Sequence, residues 1–302
     1  MANGPNASSV VGQPNFTTSI SPFNGTTPSL LWSPTAAHFD SGGNLWVADR
    51  YDNRIVEFPS SSLGVNSPRA SFAIGERGLY ERVITLPNNL YGPSDMALDS
   101  SGNLWVSDIG AGRILEFAPP FVNDENASLA IGQPDLYNAT GCGTIISASS
   151  LCAPTSIAFD SHENLWVGDT GNNRVLEFKA PFSFGEAASV VLGQPNFRSN
   201  SCGDNETTIC GAISISIAFD PKGNLWVADQ NNNRVLEFSN ASLSTNGAAA
   251  SIVLGQKNFT SGVPEQTVQD FTFRGALPST PRETSGLLTL KMLESSNSQH
   301  RS

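Results

Sequence analysis

The chain has 302 residues, with 16 Lys and Arg against 27 Asp and Glu, giving a net charge of −11. Only 14% of residues are charged, while 27 Gly and 19 Pro punctuate the chain, which excludes a coiled coil or long helical bundle. It also excludes a nucleic-acid binder built on a broad basic surface, and no apolar run approaches the roughly 18 residues of a membrane span.

The N-terminus, MANGPNASSVV, has neither the basic start nor the apolar stretch of a secretory leader. Within it SSVVG reads as the outer strand of a unit whose other strands lie elsewhere. From Ala37 the chain repeats. AHFDSGGNLWVADRYDNRIVEF (Ala37–Phe58) returns at Met96–Phe117, at Ile157–Phe178 and at Ile217–Phe238 as IAFDPKGNLWVADQNNNRVLEF. Trp46, Trp105, Trp166 and Trp226 are spaced 59, 61 and 60 residues apart. A second element, SVVLGQPNF or its like, keeps step with them near Gly12, Gly75, Gly132, Gly193 and Gly255.

Each unit predicts four short strands. SIAFD is an apolar run ended by Asp and a turn. NLWVAD and RVLEF alternate, with Leu225 and Val227 on one side and Trp226 and Ala228 on the other. Asn and Gly between them tolerate the left-handed backbone a hairpin needs. SVVLG is the fourth strand. Four antiparallel strands repeated at a fixed period make the blades of a β-propeller. One blade cannot bury both faces, so neighbours must stack, with Trp166 and Phe178 filling the layers between them.

The hairpin residues Asp49, Asn53 and Arg54, with Asp108, Gly112 and Arg113, Asp169, Asn173 and Arg174, and Asp229, Asn233 and Arg234, resemble the NHL-repeat family of β-propellers over roughly residues 8–259. The resemblance implies an all-β fold of four-stranded antiparallel blades. Four complete blades plus an N-terminal strand form an incomplete five- or six-bladed ring, six being the common number in such families. It implies a role as an interaction platform. Some related propellers are lyases or lactonases with a channel metal, and some intracellular members bind RNA. The acidic charge conflicts with the RNA reading.

Residues 1–266 form the propeller segment, and 267–302 fit no repeat. Ala276–Ser285 nevertheless falls one period after Ile217, where IAFDPxGN is due. Codons for GIAFDPTGNLWVADS, read one base on, spell the chain from Ala276 to Leu290. Met292–Ser298 is likewise compatible with NARVLEF, and Asp270–Gly275 with GLYFPGG. The reading frame is therefore expected to slip between about Gln266 and Asp270. The tail is then an out-of-frame fifth blade, never selected to fold, and the ring is truncated.

Cys142 and Cys152 share one inter-unit loop, and Cys202 and Cys210 share the next. Two local disulfides are expected, Cys142–Cys152 and Cys202–Cys210. Free thiols or a metal are the alternatives. Spacings of ten and eight are not CxxC, and the only histidines are His38, His162 and His300. Disulfides imply an oxidising compartment. Eight N-x-S/T sequons (Asn6, Asn15, Asn24, Asn126, Asn138, Asn205, Asn240 and Asn258) permit the same reading. The expected location is extracellular, cell-surface or periplasmic, with the leader outside this sequence.

Asp40, Asp99, Asp160 and Asp220 end the first strand of each unit. A ring of metal ligands is one reading; capping of the following turn is the preferred one. The Asp49–Arg54 type of pair is expected to bond across each hairpin. Glu57, Glu116, Glu177 and Glu237 are expected to face solvent. No catalytic, cofactor-binding or metal constellation stands out; His38 is the one non-repeated polar residue of an inner strand, and His162 lies in a turn. What remains is a loop face carrying the Cys loops and the turns Asp52–Asn53, Asn172–Asn173 and Asn231–Asn232–Asn233. That face is expected to bind a protein or a glycan.

Overall fold

The computed structural model describes residues 6–21, 27–75, 89–123, 125–211 and 214–262. The tail 267–302, with its expected out-of-frame blade, lies outside the described residues.

Four four-stranded antiparallel sheets form four blades, each strand beside its sequence neighbour. Blade 1 holds β1 (Pro34–Phe39), β2 (Leu45–Asp49), β3 (Arg54–Phe58) and β4 (Phe72–Ile74). Blade 2 holds β5 (Pro93–Leu98), β6 (Leu104–Asp108), β7 (Arg113–Phe117) and β8 (Leu129–Ile131). Blade 3 holds β9 (Pro154–Phe159), β10 (Leu165–Asp169), β11 (Arg174–Phe178) and β12 (Val190–Leu192). Blade 4 holds β13 (Ile215–Phe219), β14 (Leu225–Asp229), β15 (Arg234–Phe238) and β16 (Ile252–Leu254). The inner strands β1, β5, β9 and β13 stand side by side in that order. Among the described residues the arc does not close into a ring.

The alternation of NLWVAD sets the layers, because successive side chains leave a strand on opposite faces. Leu165, Val167, Leu176 and Phe178 of blade 3 pack against Trp105, Ile114 and Ile131 of blade 2. Trp166, Val175 and Leu192 leave the other face and pack against Ile217, Leu225, Val227 and Phe238 of blade 4. Trp105 and Trp166 each meet a phenylalanine of the next blade's inner strand edge-on, Phe159 at 5.7 Å and Phe219 at 5.9 Å.

The turn carboxylates cap. Asp40 accepts from the backbone N–H of Gly42 and Asn44, from Asn44 Nδ2, and from Trp46 Nε1 at 3.1 Å. Asp99, Asp160 and Asp220 accept the equivalent indole at 3.0, 3.2 and 3.2 Å. The four indoles thus share one polar anchor.

The third-strand glutamates correct the expectation of solvent exposure. Glu57, Glu177 and Glu237 are buried. Ser71, Ser128 and Ser189, which precede the fourth strand, donate to the carboxylates of Glu57, Glu116 and Glu177. A repeated serine just before the neighbouring strand supplies the hydrogen bond that burial demands.

The N-terminal segment is also corrected in part. SSVVG forms no strand; it makes one parallel bridge, Gly12 to Leu30. The strands it would join are not among the described residues.

Candidate functional site

The hairpin between the second and third strands is rigid by construction. Asn53, Asn173 and Asn233 take left-handed backbone at φ 53°, 54° and 53°, which Asn tolerates better than most residues. Gly112 replaces them in blade 2, where a Cβ would lie 2.4 Å from the carbonyl oxygen of Gly141 in the Cys142 loop. Only Gly allows that approach.

Behind each hairpin lies a buried ion pair. Arg54, Arg113, Arg174 and Arg234 donate through Nε to Asp49, Asp108, Asp169 and Asp229 at 2.9, 2.9, 2.7 and 2.8 Å. The guanidinium also donates to loop carbonyls, as Arg174 does to Ser147, Ser150 and Phe197. The aspartate's other oxygen accepts the N–H of Trp32, Tyr91, Cys152 or Cys210. Burial pushes the carboxyls of Asp108, Asp169 and Asp229 up, against the pull of the guanidinium and donor N–H groups. These repeated polar groups are satisfied internally and build the blade.

The same bonds fix which loops share a face. The connection from each fourth strand to the next blade lies against the hairpin tips. Gly141 donates to Ala111 O, and Gly171 to Cys152 O. The disulfides Cys142–Cys152 and Cys202–Cys210 both form, within these connections. Cys152 and Cys210 occupy the slot clamped by Asp169 and Asp229, so each bridge ties its loop to a rigid point.

The seven turn residues singled out from the sequence divide into two sets. Asp52, Asn172 and Asn232 are buried. Asn172 and Asn232 donate inward to Asp169 and Asp229, both at 2.9 Å. Asn53 and Asn173 are half-buried, and Asn231 and Asn233 exposed. Asn53 and Asn173 accept from Gly92 and Gly211 of the following connection, while Asn231 reaches Cys210 Sγ. The buried three present no surface to a partner.

Exposed apolar side chains, absent from the sequence argument, mark the same face. Tyr51 on a hairpin tip is 59% exposed; Tyr137 and Ile145 on the Cys142 connection are 63% and 75% exposed. Each is unlike its counterparts in the other units, and that irregularity was the available signal.

The inner strands hold a second non-repeated group. His38 Nε2 lies 3.4 Å from Asp95 Oδ1 on the next blade. Asp95 Oδ2 accepts from Ser156 Oγ at 2.9 Å and from Ile157 N–H at 3.1 Å on the blade beyond. Asp95 stands where the other units carry Ala36, Ser156 and Ser216, a departure that sequence reasoning passed over. Among the described residues, no three His, Cys, Asp or Glu side chains group so as to hold a metal ion.

Four repeated four-stranded antiparallel blades define an arc of β-propeller architecture. Residues 151–178 match the NHL repeat, so the chain carries at least one such repeat outright. Among solved structures the chain is similar to a streptogramin B lyase, at 14% identity over 72% of this chain and 55% of that one, TM-score 0.44. It is similar also to a catalytically inactive virginiamycin B lyase from Staphylococcus aureus with quinupristin, at 15% identity, 69% and 53% coverage and TM-score 0.42. Hydrazine synthase of Kuenenia stuttgartiensis gives 10% identity, 74% and 49% coverage and TM-score 0.45. The chain spans about half the length of these structures.

Proposed function

We propose that the protein is a non-catalytic, extracytoplasmic scaffold that binds a protein or carbohydrate partner through its loop face. The observation that carries this reading is the exposure of Tyr51, Tyr137 and Ile145 on that face, which also carries exposed Asn231 on another hairpin. Exposed aromatic and apolar side chains on a face that also carries amide groups suit a sugar ring or a protein surface. Long loops held by a rigid scaffold are where binding usually resides. The disulfides support an oxidising compartment. Among the described residues no helix is long and apolar enough to cross a membrane.

The test is a screen against defined immobilised glycans and a displayed peptide library. A selected binder should lose at least roughly tenfold in affinity, about 1.4 kcal/mol, on Tyr137→Ala with Ile145→Ala. It should be unaffected by Lys222→Ala on the opposite face. Binders indifferent to the loop-face changes, or sensitive to Lys222, would overturn the proposal. Asn172 and Asn232 are poor probes, because their loss disturbs a buried aspartate.

A further inference from the structure

The two ends of the arc expose residues that every internal layer covers. Trp46, Trp105 and Trp166 are 2%, 0% and 1% exposed, yet Trp226 is only half-buried. The cross-strand pairs Ile55–Ile74, Ile114–Ile131 and Val175–Leu192 are fully buried; the equivalent Val235 and Leu254 are half-buried, and Ile252 is 43% exposed. At the other end Phe39 is 66% exposed, although its counterparts Phe159 and Phe219 cover Trp105 and Trp166.

The N-terminal segment shows what such a face receives. Ser67 N–H donates to Val10 O, and Val10 N–H to Asn66 Oδ1. Gly247 N–H donates to Val191 O, and Val191 N–H to Asn246 Oδ1, in the same way. Leu31 N–H donates to Gly12 O as Ile209 N–H does to Gly193 O. Val10 therefore sits on blade 1 as the outer strand of blade 3 sits on blade 4. Phe16 follows it as Phe197 follows Val191, and it is 54% exposed where Phe197 is packed. The segment holds the place of the outer strand of another blade.

We propose that the open face of blade 4 is the docking face for a further blade, and that its occupant is the sequence encoded at positions 270–298 one base earlier. That reading supplies the required chemistry. GIAFD gives an inner strand whose Phe would meet Trp226 as Phe219 meets Trp166. NLWVAD and NARVLEF give the second and third strands, with Leu and Val to cover Val235 and Leu254. The internal layers, three times repeated, are the template for this contact.

Hydrogen exchange, read peptide by peptide, tests it on two chains. One is the protein as it stands; the other carries a single-base insertion before codon 270 that restores the earlier frame. In the first, amides of 226–236 and 252–254 should exchange roughly tenfold or more faster than those of 166–176 and 190–192. In the second the two sets should converge, and Trp226→Ala should separate them again while blade 3 stays protected. Equal exchange in the two chains would overturn the proposal. So would sedimentation of the existing chain as a dimer with blade 4 protected, which would make a second copy the occupant. Should the restored chain fail to fold, the gene decides: codons unable to spell GNLWVAD one base earlier would also overturn it.

Discussion

Asp52 shows how one substitution within a repeat changes its electrostatics. Asn172 and Asn232 stand at its place in blades 3 and 4 and donate to the hairpin aspartate. A carboxylate there cannot donate unless protonated. Burial and then the neighbouring Asp49 carboxylate push the Asp52 carboxyl up to about 7, Arg54 pulling the other way. Its folded-state value lies above the unfolded one, so its contribution to stability is complete below about pH 3.8 and is lost as pH rises through about 7. Asp52→Asn should therefore stabilise the protein above pH 7, by roughly 1 kcal/mol or a few degrees in Tm, and matter least near pH 4. Thermal melts at the two pH values check this; equal shifts would contradict it. The turn aspartates Asp40 and Asp160 behave oppositely. Burial alone would raise Asp40 and Asp160, but donors from Trp46 and Asn44, and from Asn164, His162 and Trp166, together hold them below the usual range. Their contribution is present above the unfolded pKa and lost as pH falls below it, so the acid limb of the melting curve should steepen there. The buried pairs matter more: Arg174→Ala leaves Asp169 buried without its counter-charge and should cost roughly 3–5 kcal/mol.

At the scale of elements, each disulfide should contribute about 2–3 kcal/mol by closing a loop of about ten residues. Reduction should lower Tm, and limited proteolysis should then cut the Cys142 and Cys202 connections first; an unchanged Tm would contradict their structural role. The strands themselves were legible in the sequence because each combines period-two alternation with a capped turn. SIAFD, NLWVAD and RVLEF fall on β9, β10 and β11 almost residue for residue. Less legible was where polar side chains point. Period two places Glu177 on an alternate face, but whether water or a partner meets it depends on Ser189, a residue just before another strand. The inward turn of Asn172 likewise follows from Asp169, three residues earlier but across a tight turn. Asp95 escaped notice because its role exists only across blades, through His38 and Ser156. Repetition identified the residues that build; irregularity marked the candidates for function, at Asp95, Tyr137 and Ile145.

At the scale of the whole molecule, four equivalent wedges form an arc that is open among the described residues. A wedge followed by another buries its tryptophan against it, as blade 1 buries Trp46; blade 4, with no described wedge after it, leaves Trp226 half-buried. Apolar burial at roughly 25 cal/mol per Å² makes an uncovered layer a site of local opening and of association. The four repeated indoles report on this directly, since each donates to the same aspartate of its own blade. Fluorine NMR of the 5-fluorotryptophan-labelled protein, assigned by single Trp→Phe variants, reads their surroundings one by one. The account predicts negligible solvent-isotope shifts for Trp46, Trp105 and Trp166, and a clear one for Trp226. Solvent exposure scattered among the four without regard to blade order, or a Trp226 as shielded as Trp105, would contradict it.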